Sequence, residues 1–105
     1  MINFFNEMLN KNDLNNAEWI SSLLTDRFAD HHVAWHVRAI ALRLTNEPKE
    51  ALSAIERSLR LNATPDSLSE LIRIYQALGL NDKASQLSKD IAKAQELKQP
   101  LTLQF

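Results

Sequence analysis

The sequence predicts an all-α chain of three helix hairpins, six helices in all, followed by a short C-terminal tail. Three observations predict it. The first is a repeated turn. Lys11-Asn12-Asp13-Leu14-Asn15-Asn16-Ala17, Thr45-Asn46-Glu47-Pro48-Lys49-Glu50-Ala51 and Leu78-Gly79-Leu80-Asn81-Asp82-Lys83-Ala84 each run from a polar turn into a new helix with a small residue near its start. The second is spacing. The alanines at 17, 51 and 84 stand 34 and 33 residues apart, and a period of about 34 residues with a helix on either side of a turn marks a stacked helical repeat. The third is composition. One glycine and three prolines in 105 residues are poor punctuation for a β protein, while 45% apolar residues suffice for a layered core.

The six helices are expected at about 2–11, 14–28, 32–45, 48–61, 66–78 and 82–97. Asp13 and Asp30 are placed to accept from the free N–H groups of the second and third helices. Pro48 and Pro65 open the fourth and fifth, where a missing N–H costs nothing. Gly79 closes the fifth in a left-handed conformation, Asn81-Asp82 starts the sixth, and Pro100 ends the helical pattern.

The apolar faces follow the helical period. The second helix presents Ala17, Ile20, Leu23, Leu24 and Phe28; the third Ala34, Trp35, Ile40, Ala41, Leu42 and Leu44; the fourth Ala51, Leu52, Ile55, Leu59 and Leu61. Glu56 and Arg60 pair at i, i+4 on the other side of the fourth. Ala17, Ala39, Ala51 and Ala84 are expected where helices cross closely, and a larger side chain there would overpack at a cost of about 1–3 kcal/mol.

The formal charge is −1, divided as −3 over residues 1–31, +2 over 32–64 and 0 over 65–105. No block carries the excess that a phosphate backbone calls for, so nucleic acid is not an expected partner. The absence of cysteine removes disulfide and thiolate chemistry and is compatible with a reducing compartment. The first residues lack a basic segment followed by a long apolar run, and no stretch reaches the roughly 18 apolar residues of a membrane span. The expected setting is cytoplasmic, with no membrane partner.

The chain resembles the tetratricopeptide repeat family. The family pattern is Trp-x2-Leu-Gly-x2-Tyr, then Ala-x3-Phe, then Pro. The middle repeat reads Trp35, Arg38, Ala39 and Leu42, then Ala51 and Ile55, then Leu59 to Ala63. The third reads Leu68, Leu71, Ile72 and Tyr75, with Gly79 in the turn, then Ala84 and Ser88; the first keeps Met8, the turn and Ala17. Arg38, Ile72, Ser88 and Ala63 depart from the pattern. The resemblance implies three repeats at about 1–31, 32–64 and 65–98, a tail over 99–105, and a right-handed α–α superhelix. It also implies a concave groove lined by the first helix of each pair. The groove residues would be Asn3, Asn6, Asn10, Val33, His36, Val37, Ile40, Arg43, Asp66, Ser69, Glu70, Arg73 and Gln76. An apolar centre with a polar rim suits an amphipathic helix or an extended peptide with aliphatic anchors. Co-chaperone members of the family clamp a C-terminal carboxylate with basic and amide side chains. Here Asn6 alone matches, while Ile2, Val37, Asp66 and Glu70 stand where such groups are needed, so that function is not expected.

The histidines are the only candidates for chemistry. His32 and His36 share a helix face at i, i+4, with Asp30 or His31 as a third metal ligand. The plainer reading makes His31 and His32 loop and cap residues and His36 a groove contact. No serine has a triad-like neighbour set, and one glycine cannot build a phosphate loop. No enzyme activity, metal or cofactor is expected. Trp35 is expected in the core. Trp19 lies off the apolar stripe, either as an exposed interface anchor or folded over Leu23 or the N-terminal helix. One of Phe4 and Phe5 must face away from the local core. The tail Gln99-Pro100-Leu101-Thr102-Leu103-Gln104-Phe105 reads as a disordered end, with a strand-like arm as the alternative. The expected function is a non-catalytic module that binds a protein or peptide partner in the groove. A small chaperone for a secretion or pilus subunit, a self-assembling oligomer joined through the tail and the stack ends, and the N-terminal scaffold of a larger enzyme are the alternatives.

Overall fold

The structure is a computed structural model and describes residues 14–98. The described residues form five helices and no strand: α1 Leu14–Arg27, α2 His32–Leu44, α3 Pro48–Leu61, α4 Pro65–Ala77 and α5 Asn81–Leu97. Each boundary lies within one residue of its expected position. The expected helix at 2–11, Phe4 and Phe5, the Asp13 cap and the tail lie outside the described residues. None of the described helices is long and apolar enough to cross a membrane.

The turns explain why the helices stop where they do. After α2, Asn46 takes φ 66°, and the N–H groups of Asn46 and Glu47 donate back to the carbonyls of Arg43 (3.2 Å) and Leu42 (2.8 Å). After α4, Gly79 takes φ 76°, and Gly79 and Leu80 donate to Gln76 (3.0 Å) and Tyr75 (2.8 Å). These are the same helix-ending motif, a left-handed residue that lets two N–H groups satisfy otherwise unpaired carbonyls. They recur 33 residues apart. Thr64 caps α4 through its hydroxyl, which accepts the Ser67 N–H at 3.1 Å. Asp30 does not cap α2. The residue at that position is His31, extended at φ −103° and ψ 119°, and its side chain makes no cap hydrogen bond.

Helix α2 sits at the centre. It packs against α1, α3 and α4, while α4 also packs against α3 and α5. Its Ala34, Val37 and Ala41 meet Ala17 and Leu24 of α1 in one apolar cluster. Its Ala39 and Leu42 enter a second cluster with Ala51, Ala54, Ile55 and Leu59 of α3, Leu71 and Ile74 of α4 and Leu87 of α5. Ala17, Ala39 and Ala51 have no exposed surface and Ala84 is 3% exposed, as expected of residues at close helix crossings. Several stripe residues turn outward instead. Leu23 neighbours the buried Leu24, and adjacent helix positions point about 100° apart, so both cannot face α2. Phe28 lies just past the end of α1, its ring edge-on to His31 at 6.5 Å, and Leu44 and Leu61 are the last residues of α2 and α3; all three are exposed. Trp35 is half-buried against the second cluster; its indole N–H donates to the Ala29 carbonyl at 2.7 Å and the Arg57 guanidinium lies 5.2 Å from its ring. Glu56 and Arg60 do pair, at 3.7 Å.

No heavy atom lies within 4 Å of the place a Gly79 side chain would occupy, so only the backbone resists substitution there. Gly79→Ala is expected to cost about 1–2 kcal/mol, the penalty of a left-handed non-glycine residue. Asn46→Gly, at the equivalent turn, is expected to cost nothing or to stabilise slightly. Urea unfolding of the two variants measures both.

Candidate functional site

The residues expected to line the groove fall into three sets. Asn3, Asn6 and Asn10 lie outside the described residues. On α2, Val33, His36, Ile40 and Arg43 are half-buried. On α4, Asp66, Ser69, Arg73 and Gln76 are exposed. Val37 (4% exposed) and Glu70 (1% exposed) are interior and offer no surface to a ligand. Both follow from helix geometry. Val37 lies one position from His36, about 100° around the helix, and that rotation carries it into the cluster with α1. Glu70 lies on the side of α4 that meets α2.

Glu70 is the only charged residue among the buried side chains of the described residues. Arg43 grips it with two donors, Nε to Oε2 at 2.5 Å and a terminal nitrogen to Oε1 at 3.2 Å. Arg73, one turn further along α4, comes within 3.6 Å of Oε1. Two guanidiniums on adjacent helices therefore share one buried carboxylate. The sequence places Glu70 among the groove residues because nothing local shows its partner, 27 residues away on another helix.

A hydroxyl network lies at the other end of the α2–α4 contact. Ser67 Oγ is 2.9 Å from His36 Nδ1. The Thr64 hydroxyl donates to Ser67 Oγ at 3.0 Å, and the Ser67 hydroxyl has one proton to give, to His36 or to Ser58. The Ser58 hydroxyl of α3 donates to the His32 carbonyl at 2.7 Å and lies 3.4 Å from Ser67 Oγ. Neutral His36, unprotonated at Nδ1, fits this arrangement. Burial lowers its pKa below 6.5, an effect opposed by Glu70 and Asp66 and reinforced by His32 and Arg73. Ser67 is 1% exposed, so this Ser–His contact is closed to a substrate. Ser58, Thr64 and Ser67 were not foreseen as parts of any site. The one signal in the sequence was the cap motif Thr64-Pro65-Asp66-Ser67.

The other candidates sit apart. His31 and His32 stack at 6.1 Å, and His32 Nε2 lies 3.3 Å from Asn62 Nδ2. Among the described residues no group of three or more His, Asp or Glu is placed to hold a metal. Arg38, where the family pattern has leucine, crosses from α2 to α1. It donates to the Glu18 carboxylate at 2.6 Å and to the Glu18 carbonyl at 3.1 Å. Trp19 is 61% exposed. Leu23, one turn further along α1, is also exposed.

Two predictions follow from the α2–α4 contact. Arg43→Met leaves the Glu70 carboxylate buried with only the more distant Arg73, and is expected to cost about 3–5 kcal/mol in urea unfolding. Pairing it with Glu70→Leu is expected to recover most of that loss, because the desolvated charge is gone. The second prediction concerns pH. Below 6.5 the unfolded chain takes up a proton at His36 that the folded chain resists. Stability is therefore full above that pH and falls as pH drops through 6.5 toward the lower folded value. Wild type is expected to lose more stability between about pH 7.5 and 5.5 than His36→Gln does, measured by urea unfolding at each pH.

Comparison with protein-family models, with curated proteins and with solved structures finds no match to this chain.

Proposed function

We propose that the chain is a non-catalytic protein-interaction module, a tetratricopeptide-like stack that binds a partner helix or peptide along a concave surface formed by α2 and α4. The observation that carries this reading is the contact between those two helices. They are separated in sequence by all of α3 yet lie side by side, joined by Arg43–Glu70 and His36–Ser67. That arrangement supports a stack in which the first helix of each hairpin lines one continuous face. The repeated turn at Asn46 and Gly79 supports the same reading.

The face has a graded chemistry. Val33 and Ile40 give a half-buried aliphatic strip on α2, and Ser69, Arg73 and Gln76 give a polar, hydrogen-bonding strip on α4. A peptide with one or two aliphatic anchors and a polar flank fits it. Burial of Ser67 beside His36 favours a structural role for that pair over a nucleophilic one. The useful test positions are Ile40 and Arg73. A charge at Val37 would strike the core and report on folding instead.

Peptides selected from a displayed random library against the full chain test the reading. Selected binders are expected to weaken about tenfold or more, roughly 1.4 kcal/mol, on Ile40→Ala and on Arg73→Ala, and to keep their affinity for Trp19→Ala. Affinity lost with Trp19 and kept in both other variants would place binding on the outer face of α1 and refute the groove.

A further inference from the structure

Two opposite charges on the α4 side of the α2–α4 face remain available once the buried pair is made. Arg43 binds Glu70 through two hydrogen bonds. Arg73 adds one contact to Glu70 at 3.6 Å and keeps 57% of its side chain exposed. Asp66 is exposed too, and among the described residues it belongs to no ion pair. It lies near enough to His36 of α2 to favour the charged form of that ring, which places it on the α2 side of α4.

The two charges are in register. Positions 66 and 73 return to within about 20° of one line along the helix and stand about 10 Å apart on it. Glu70 lies between them, turned inward to Arg43. The aliphatic pair on α2, Val33 and Ile40, has the same separation of seven residues, and both are half-buried. A helix laid along the face presents a row of side chains at i, i+3 or i+4 and i+7 with the same rise, so one row can meet both charges. A β-strand does not fit. Its residues three apart span that length but point to opposite sides.

We infer that the face takes an amphipathic helix of a partner protein in one fixed direction. A basic side chain of that helix meets Asp66, a carboxylate seven residues from it meets Arg73, and aliphatic side chains between them rest on Val33 and Ile40. The direction follows from the charges. A helix lying the other way sets its carboxylate against Asp66 and its base against Arg73, which replaces two attractive contacts by two repulsive ones. The choice of occupant deepens the proposed function and rests on the groove reading. Asp66 also suits the first turn of α4, where an acid complements the helix dipole, so binding rather than stability separates its two roles.

The probe is the tightest peptide, selected from a displayed random library against the full chain, whose binding weakens on Ile40→Ala. It is expected to bind as a helix and to carry a base and an acid seven residues apart. Replacing its acid by glutamine should weaken binding to wild type about tenfold and have little further effect on Arg73→Gln. Replacing its base by glutamine should do the same toward Asp66→Asn. The crossed combinations should add. A second measurement needs no protein variant. A spin label at the acid-bearing end of the peptide should broaden the amides of Arg73 and Gln76 in wild type, and a label at the other end those of Val33 and Asp66.

An Ile40-dependent peptide whose effects add at both charged positions, or whose labels broaden the opposite ends, would overturn the inference and leave the groove standing. Failure to find any peptide that depends on Ile40 would remove the groove and this inference with it. A dimer of the free chain, seen by light scattering and lost in Arg73→Gln, would make a second copy the occupant. Nuclear Overhauser contacts between Phe105 and Ile40 in the free chain would make its own C-terminal residues the occupant. Either result would contradict a partner helix.

Discussion

Helix α2 has to bury three sides of itself at once, and the rest of the structure depends on how it does so. One side meets α1 through Ala34, Val37 and Ala41, and a second meets α3 through Ala39 and Leu42. A third meets α4 through His36 and Arg43. The first two sides are built largely from alanine, which lets neighbouring backbones approach closely at little cost in side-chain entropy. The third is polar. Without α2 the two apolar clusters would have no common wall, and α1 would have no partner among the described helices.

The polar side fixes geometry more than it adds stability. Burying the Glu70 carboxylate carries a desolvation penalty that its contact with Arg43 offsets only if the geometry is good, and the two-donor grip on one carboxylate supplies that geometry. An apolar α2–α4 seam would tolerate sliding by a turn. A buried charge gripped across the seam does not, since any slip costs Glu70 both Arg43 bonds and leaves it only Arg73 of its own helix, at 3.6 Å. The Ser67–His36 contact adds a second fixed point nearer the start of both helices. Together they hold Ile40 and Arg73 in one relative position, which the proposed binding face would require.

Helix boundaries were legible because their causes are local. Pro48, Pro65, Thr64 and Gly79 act within a few residues of themselves, and each ends or starts a helix where its own chemistry dictates. The alanines at 17, 39, 51 and 84 were legible as crossing points because only small residues fit there. Side-chain destinations on the α2–α4 surface were less legible. Positions 36 and 37 differ by about 100° around one helix, and a face assigned by period cannot say which of two neighbouring helices covers each edge. Val37 went to α1 and Glu70 to α2, and neither partner is signalled nearby in the sequence. Asp30 failed as a cap for a similar reason: the chain needed one more extended residue, His31, before α2 began.

Native-state amide hydrogen exchange measures most directly whether α2 is the element on which the fold depends. If α2 is the shared wall of both clusters, its central amides, from Val37 to Ala41, exchange only through global unfolding. They would then be the slowest in the chain and would follow the full unfolding free energy in urea. Amides of α1 and of the last turns of α5 would exchange earlier through partial opening. Faster exchange in the centre of α2 than in α1 or α5 would contradict the account, because α2 would then open while the helices it is said to join stayed folded.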